Sequence, residues 1–323
     1  MDFVTTNVVN ISDRNIHVEF DLIKDVWSRF LVCKNMRKIT KNNKGSTKYE
    51  LQNIFERYMT ATYPLYKFAD NPDATKQLIK ELKEKRIGYL WEQIKDADKI
   101  DIQERIYLNQ DDLTIANHDD FVLFKYRSFS HSLAKSKFVL LYNALENKKN
   151  AELTIFISLL HYLTLMPRGQ QWSIPLSNYK KYIGKGLTIE GFASPFNSRA
   201  PQIGDKNFRY CSISPADIPF GSIGSFFNQN FKGYTVVINP PFIESILERT
   251  AVKCSEQLEM HSCKFVFNGP NWSDSKYFQI LSKSKFLTDT KFYKKGQHTY
   301  EDTSGKEFTA NFGSVVFQLE RFD

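Results

Sequence analysis

The sequence predicts an α/β chain whose first half is mainly helical. Two observations carry this. From Leu187 onward, short apolar runs alternate with turn residues, and a helical pattern fills one of the gaps. Before that point, apolar residues recur at helical spacing in segment after segment. The style changes near residue 170. Residues 1–170 therefore read as a helical accessory domain and 171–323 as a sheet-bearing domain, a comfortable division for this length.

The elements follow in order. Phe20–Phe30 sets Leu22, Ile23, Val26, Trp27 and Phe30 at helical spacing. Lys48–Tyr58 repeats the pattern with Leu51, Ile54, Phe55 and Tyr58. Between them Lys41–Thr47, KNNKGST, reads as a mobile loop. Asn71-Pro72-Asp73 carries helix-start chemistry, since proline is pre-set for a first turn. A charged helix is expected from there to about Ile94, with Leu78, Ile79, Leu82 and Trp91 as its apolar stripe. Lys137–Asn147 and Glu152–Met166 are two further apolar helices, and Pro167-Arg168-Gly169 ends the second. In the second half Leu187–Phe192, Tyr210–Ile213, Tyr234–Ile238, Lys264–Phe267, Lys291–Tyr293 and Val315–Leu319 read as strands, with a helix at Ile243–Leu258. That alternation argues for a parallel sheet. Only Gly296–Gly313 separates the last two strands, which predicts a terminal hairpin appended to the sheet.

Composition narrows the class. Hydrophobic residues make up 41% and charged residues 25% of the chain. This excludes a disordered tail, a collagen and a coiled-coil rod. No apolar run approaches the roughly 20 residues of a membrane span. The longest, Ala151–Met166, is broken by Ser158 and His161, and His161 reads as a core histidine. The opening MDFVTTNVVNISDR shows no basic-then-apolar leader, and the four cysteines form no CxxC pair. A cytoplasmic or nuclear protein with reduced thiols and no metal site is expected. Asp111-Asp112 and Asp119-Asp120 read as acidic loops.

The charge balance is basic, with 44 Lys+Arg against 36 Asp+Glu, a net charge of +8 and a pI near 9.1. It is compatible with a nucleic-acid partner without demanding one. Arg29, Lys34, Arg37, Lys38, Lys41, Lys44 and Lys48 follow one another with no acid among them. They are either a phosphate-contacting patch or a solvated helix end and loop.

The chemistry concentrates after the strand Tyr234–Ile238, which ends in Asn239-Pro240-Pro241-Phe242 just before a helix. Open α/β sheets bind ligands at the carboxyl ends of their strands. Prolines stiffen the turn and remove donors, so the Pro240 carbonyl is a fixed acceptor and the Asn239 side-chain oxygen can be a second. Two acceptors beside an aromatic face suit a planar amine such as the adenine N6 group. Its nitrogen lone pair is delocalised into the ring. Acceptors on both N–H bonds, out of the ring plane, favour a more tetrahedral nitrogen and expose that lone pair. Phe242 would stack on the adenine. The plainer alternative is a strand-to-helix turn in which Asn239 caps the helix and the prolines stop the strand.

These residues carry a resemblance. Asn-Pro-Pro-Phe is one form of the (D/N)PP(F/Y/W) motif of amino-group methyltransferases that use S-adenosylmethionine. Phe192–Asn197, FASPFN, is similar to the FASPLN segment of the cap-specific adenosine N6-methyltransferase family, the phosphorylated-CTD-interacting-factor-like enzymes. Phe220–Gly224, FGSIG, resembles that family's FGSRG. Trp272 resembles the tryptophan of its PEW segment, and Tyr293 through Gln297-His298 its tyrosine-to-QH segment. The order is collinear over about Leu160–Leu319. Two departures stand out: Ile223 replaces the FGSRG arginine, and Asn271 the PEW glutamate.

The resemblance implies a Rossmann-like methyltransferase sheet, S-adenosylmethionine as donor, and capped mRNA as substrate, methylated at N6 of the cap-adjacent adenosine. It implies an accessory helical domain that helps hold the RNA. Asn239, Pro240, Pro241 and Phe242 would be catalytic. Ala193, Ser194, Pro195 and Asn197 would take the first strand-to-helix turn beside the cofactor, joined by Asn239. Asp217, after the second strand, would accept the donor's ribose hydroxyls, or else is a turn-forming residue. Phe242, Trp272, His298, Lys294 and Lys295 would face the substrate, although His298 also reads as an exposed loop histidine. Trp172 and Trp272 could stack on the methylated guanine by a cation–π contact, or Trp172 belongs to the core. Two alternatives remain from the same residues: N6-adenine methylation of DNA or internal RNA, and a catalytically silent RNA-binding scaffold.

Overall fold

The computed structural model describes residues 21–63, 68–96, 113–126, 129–145, 147–148, 151–165, 171–183, 187–203, 208–302 and 306–321. The expected helix stop at Pro167-Arg168-Gly169, the pair Asp111-Asp112 and the N-terminal segment lie outside them. The chain divides into two compact units. One holds Ser136–Lys148 and Gly169–Asp323, the other His17–Lys135 and Lys149–Arg168.

The second of these units is helical at its start. Helix α1 (Asp21–Asn42) and helix α2 (Gly45–Ala61) are much longer than their apolar stripes predict. Only Asn43 and Lys44 separate them, so the expected loop over Lys41–Thr47 is a two-residue turn. Two side chains close the end of α1: Thr40 Oγ1 donates to the Met36 carbonyl, and Asn43 Nδ2 to that of Ile39. Gly45 then enters α2 at φ +58°, which a side chain resists. Val32, Cys33, Met36, Leu51, Ile54 and Phe55 meet helix α3 (Pro72–Glu84) through Leu78 and Leu82 in one core. The charged helix does not reach Ile94. Arg86 adopts φ 59°, which ends α3, and the chain resumes in a 3-10 turn and the short helix α4 (Trp91–Ile94).

An antiparallel sheet completes this unit: β1 (Leu113–Asn117), β2 (Phe121–Tyr126) and β3 (Phe129–Ala134). The helical reading of the first half missed it. The signal is present in FVLFKY, where Val122, Phe124 and Tyr126 alternate inward. Asp119 and Asp120 are exposed in the β1–β2 turn. Helix α6 (Ala151–Leu163) is buried nearly all round, including His161, whose Nδ1 lies 2.7 Å from the Tyr63 hydroxyl.

The other unit is a mixed α/β layer structure. Helix α5 (Lys135–Ala144) and helix α7 (Leu176–Tyr182) precede a six-stranded sheet, and the one-turn helix α8 (Ala200–Ile203) lies between its first two strands. Its strands are β4 (Thr188–Glu190), β5 (Phe208–Tyr210), β6 (Thr235–Ile238), β7 (Cys263–Pro270), β8 (Leu287–Tyr293) and β11 (Ser314–Arg321), in spatial order β5-β4-β6-β7-β11-β8. Neighbours from β5 to β7 are parallel, and β11 runs antiparallel to both β7 and β8. The expected terminal hairpin is present: β8 and β11 pair antiparallel as the last two strands of the sheet and join it through β11. The last strand inserts between β7 and β8, and Gly296–Gly313 carries a small hairpin of β9 (Thr299–Glu301) and β10 (Glu307–Thr309). Strand β5 ends at Tyr210, where the expected Tyr210–Ile213 begins. Cys211 instead turns its backbone to the chain leaving β4, donating to the Glu190 carbonyl and accepting from Ala193 N–H.

Helix α9 (Glu244–Met260) presents Leu247, Ala251, Cys254 and Leu258 at helical spacing to Val236, Ile238, Phe265, Phe267 and Phe317. Each buried leucine is worth roughly 1.5–3 kcal/mol. Helix α10 (Lys276–Ser282) adds Tyr277 and Leu281 to this layer. On the other face Val237 meets Phe208, Ile174 and Tyr179. The four cysteines are buried and form no disulfide. Among the described residues no helix is long and apolar enough to cross a membrane.

Candidate active site

The chain passes from β4 outward to β5, then returns to place β6 on the opposite side of β4. That reversal makes the carboxyl ends of β4 and β6 a topological switch point, the position where open α/β sheets hold ligands in a crevice. The segment after β4 is Gly191–Arg199, and the segment after β6 is Asn239–Ile243. They start side by side, because Gly191 N–H still donates to the Val237 carbonyl at 2.8 Å.

Thr235-Val236-Val237-Ile238 is a β-branched run, and the two prolines stop its ladder by removing donors. The Pro241 carbonyl accepts from Ile243 N–H at 2.7 Å, so the turn is tight. Helix α9 begins with Ile243 at its cap position and no side-chain cap bond. Asn239 therefore does not cap it. Instead Asn239 Nδ2 donates to the Trp172 carbonyl at 2.9 Å. A carbonyl only accepts, so this bond fixes which end of the amide is nitrogen. Asn239 Oδ1 is left buried with no partner among the described residues. A bare buried acceptor costs about 1–3 kcal/mol, so an incoming donor is favoured there. Phe242 is half-buried and meets Tyr300 and Phe312 edge-on, with centroids 6.3 and 5.6 Å away.

The turn after β4 is held by a residue that sequence reading passed over. Glu190 is buried. Its Oε1 accepts from the Tyr179 hydroxyl at 2.9 Å, and its Oε2 from Ser198 Oγ at 3.0 Å and Arg199 N–H at 2.9 Å. Burial pushes its carboxyl above the ordinary glutamate range, and these hydrogen bonds oppose that rise. Within LTIEGF the glutamate breaks no pattern, so nothing marked it. Asn197 Oδ1 accepts from Ser194 N–H at 2.7 Å. Ser194 Oγ donates to Gln171 Oε1 at 2.6 Å. Both side chains thus brace the turn, and Ala193 and Pro195 sit between these anchors. Gly191 is needed for packing, since a Cβ there would meet Ile238 Cγ1 and Phe226 Cδ2 at 3.2 Å.

Asp217 is fully buried in the 3-10 turn Pro215–Phe220, which Ser214 caps through its Oγ. In FGSIG both glycines take positive φ, 93° at Gly221 and 86° at Gly224, while Ile223 packs on the sheet core. Trp272 follows β7 and is 39% exposed. Lys294 and Lys295 are exposed after β8. His298 is not an exposed loop residue. It is 2% exposed, stacked on Tyr293 with centroids 4.3 Å apart, and bonded through Nδ1 to Ser314 Oγ at 2.6 Å. Its ring also lies 4.7 Å from Tyr300, which joins it to the Phe242 cluster. Trp172 packs there too, edge-on to Phe308 at 4.7 Å. Because β8 runs in the same direction as β7, the segments after β4, β5, β6, β7 and β8 all leave the same end of the sheet.

With that edge assembled, one comparison decides the family. A family model described as phosphorylated CTD interacting factor 1 WW domain matches residues 137–303, just over half of the chain. The chain belongs to this family. No curated protein matches it. In this family member the matched stretch runs from α5 past β9 and contains both the FASPFN turn and Asn239–Phe242. Although the description names a WW domain, the matched residues here supply five of the six strands of the sheet, β4 to β8, and the helices packed on it, while β11 lies beyond the match. The resemblance read from the motifs holds at the level of the family.

Two histidines give the protein a calculable acid sensitivity. Burial lowers His298 to about 4 and His161 to about 3, whereas an unfolded histidine titrates near 6.5. A depressed folded value means the unfolded chain takes up the proton first. Stability is therefore full above about pH 6.5 and falls as the pH drops toward 4, by up to about 3 kcal/mol per histidine. Thermal melts from pH 7.5 to 4.5 should show this slope, and His298→Gln should flatten it. An unchanged slope in that variant would rule out the buried neutral imidazole.

Proposed function

We propose that this protein is an S-adenosylmethionine-dependent N6-adenosine methyltransferase acting on the cap-adjacent adenosine of capped mRNA. The observation that carries the reading is that Asn239 Oδ1, at the carboxyl end of β6 and next in sequence to Pro240-Pro241-Phe242, is buried with no partner among the described residues. An adenine amino group brings two N–H donors and a flat ring. One donor satisfies Asn239 Oδ1, the other reaches the Pro240 carbonyl, and Phe242 stacks on the ring. Two acceptors held in place draw the N–H bonds out of the ring plane and release the nitrogen lone pair. No strong base is needed, because the residues act by orientation and electrostatics.

The same orphaned oxygen fits a methyl-donor site next to it. When bound, S-adenosylmethionine supplies the methyl group. Ala193, Ser194, Pro195 and Asn197 would hold it with Asn239. Asp217 would receive its ribose hydroxyls, which requires the 3-10 turn that encloses Asp217 to open. Trp272, Lys294 and Lys295 offer exposed surface to the RNA, and His298 packs on Tyr300, which in turn meets Phe242.

The helical unit supports an RNA partner in a specific way. Lys34, Lys38 and Lys41 are exposed on α1 at spacings of four and three, so they share a face. Replacing all three with Gln should reduce the slope of log affinity against log salt by about 2, near 0.7 per phosphate contact on a single strand. An unchanged slope would leave them a solvated helix face.

The deciding experiment incubates the protein with labelled S-adenosylmethionine and four substrates. These are capped and uncapped RNA beginning with 2′-O-methyladenosine, capped RNA beginning with guanosine, and duplex DNA. Label on the capped adenosine RNA alone is the expected result. Label on DNA or uncapped RNA would keep the chemistry and overturn the substrate. Absence of donor binding would overturn the enzyme.

A further inference from the structure

The Asn239 amide is oriented by a backbone carbonyl, and that carbonyl belongs to a short segment gripped at every residue. Residues Gln171–Ile174 form this strap. At its start, Gln171 Oε1 accepts from Ser194 Oγ at 2.6 Å. Trp172 supplies the carbonyl that receives Asn239 Nδ2. Ser173 pairs with Glu301 by two backbone bonds of 2.9 Å, which adds the strap to the edge of the β9–β10 hairpin. Ile174 is fully buried against Tyr179, Phe208 and Val237.

Arg199 ties these grips together. Its Nε donates to the Ile174 carbonyl at 3.0 Å, Nη2 to Ser173 Oγ at 2.8 Å, and Nη1 to Gln202 Oε1 at 2.9 Å and Glu301 Oε1 at 2.8 Å. The guanidinium is almost wholly buried, and its own N–H is bonded to Glu190 at the end of β4. Arg199 thus joins three pieces: its guanidinium fork grips the strap and Glu301 of β9, and its backbone N–H anchors to Glu190 at the end of β4. A side chain built only for solubility would not be buried this way, and burying a charge needs this many partners.

We propose that Arg199 is a positioning residue. Through the strap it sets the Trp172 carbonyl, and that carbonyl holds the Asn239 amide by its nitrogen and leaves the oxygen to accept. The arginine touches no substrate. Its role in turnover rests on the methyltransferase reading, but its hold on Asn239 does not. A short displacement of the carbonyl would rotate the amide, and a misplacement of about 1 Å can cost roughly a hundredfold in rate.

The test compares wild type with Arg199→Lys and Gln171→Met, at a temperature where all three are folded. Lysine keeps the charge near Glu301 but loses the fork; methionine removes only the Gln171 anchor and is the variant that should fold without difficulty. Two quantities are measured. The first is hydrogen exchange of the Asn239 side-chain amide, identified by NMR through its disappearance in Asn239→Asp. The second is kcat and KM for capped RNA and for the donor. Expected are faster Asn239 amide exchange in both variants and a fall in kcat of about tenfold to a hundredfold, with each KM within about twofold. Unchanged amide exchange in both would overturn the positioning role whatever the activity. A loss of melting temperature with kcat unchanged would make Arg199 structural only. Wild-type protein that protects the amide yet transfers no methyl group would overturn the methyltransferase reading and leave the strap supported.

Discussion

Asn239→Ala should lower methyl transfer to capped adenosine RNA by about a hundredfold or more, with the fold intact. Removal of one preorganised electrostatic partner at a reacting centre typically costs 10²–10³ in rate, roughly 3–4 kcal/mol. Here the substitution deletes the bare acceptor itself. The structural cost is small by comparison. Among the described residues the Asn239 side chain makes one hydrogen bond, from Nδ2 to the Trp172 carbonyl, worth about 1 kcal/mol. Losing the unsatisfied Oδ1 offsets part of that. The melting temperature should then move by only a few degrees. Single-turnover transfer and a thermal melt on the same preparation check both halves. Turnover within a few-fold of wild type would defeat the assigned chemistry.

Asn239→Asp sharpens the argument. The carboxylate keeps an acceptor where the amide oxygen was. Its second oxygen, however, takes the place of the nitrogen and faces the Trp172 carbonyl, and two acceptors repel. Although the motif accommodates either residue, this strap selects asparagine. The aspartate variant should fall between wild type and alanine in rate.

How much of this was legible depended on whether side chains or backbone carried the information. Tyr234–Ile238 followed by two prolines announced a strand, its end and a turn, and β6 and the start of α9 lie within a residue of that reading. The site motif was legible for the same reason, since proline and β-branched residues constrain the chain locally. What held the site was not legible. The partner of Asn239 is a backbone carbonyl at Trp172, and any residue type carries one. Arg199 and Glu190 are ordinary surface residues by composition, and only the fold encloses them. The placing of β11 between β7 and β8 escaped for a related reason: a strand pattern gives the faces of a strand but not its neighbours. In the first half, helical stripes were strong enough to hide the period-two alternation of Phe121–Tyr126.

Arg29→Ala should unfold the helical unit far more readily than any of the exposed lysines beside it. The sequence placed Arg29 at the head of a basic run, read as facing either phosphate or solvent. In the structure it is 1% exposed. Its Nε donates to Thr164 Oγ1 at 3.2 Å, Nη2 donates to the Met59 carbonyl, and the guanidinium lies 5.2 Å from the centre of the Tyr63 ring. Burial lowers its pKa, and the nearby Cys33, Tyr63 and Tyr58 offset part of that fall. The arginine thus binds α1 to the end of α2 and to the residue that follows α6. Alanine would strand the Met59 carbonyl, at about 1–3 kcal/mol, and open a cavity of side-chain size. Together these amount to roughly 4 kcal/mol, a fall in melting temperature of about 10 °C for a unit of this size. Arg29→Met refills the volume without the hydrogen bonds and should recover about half. Neither change should alter the salt dependence of RNA binding while the protein is folded, because a buried cation releases no counterion. Unaltered stability together with a shallower salt slope would return Arg29 to the phosphate-facing surface.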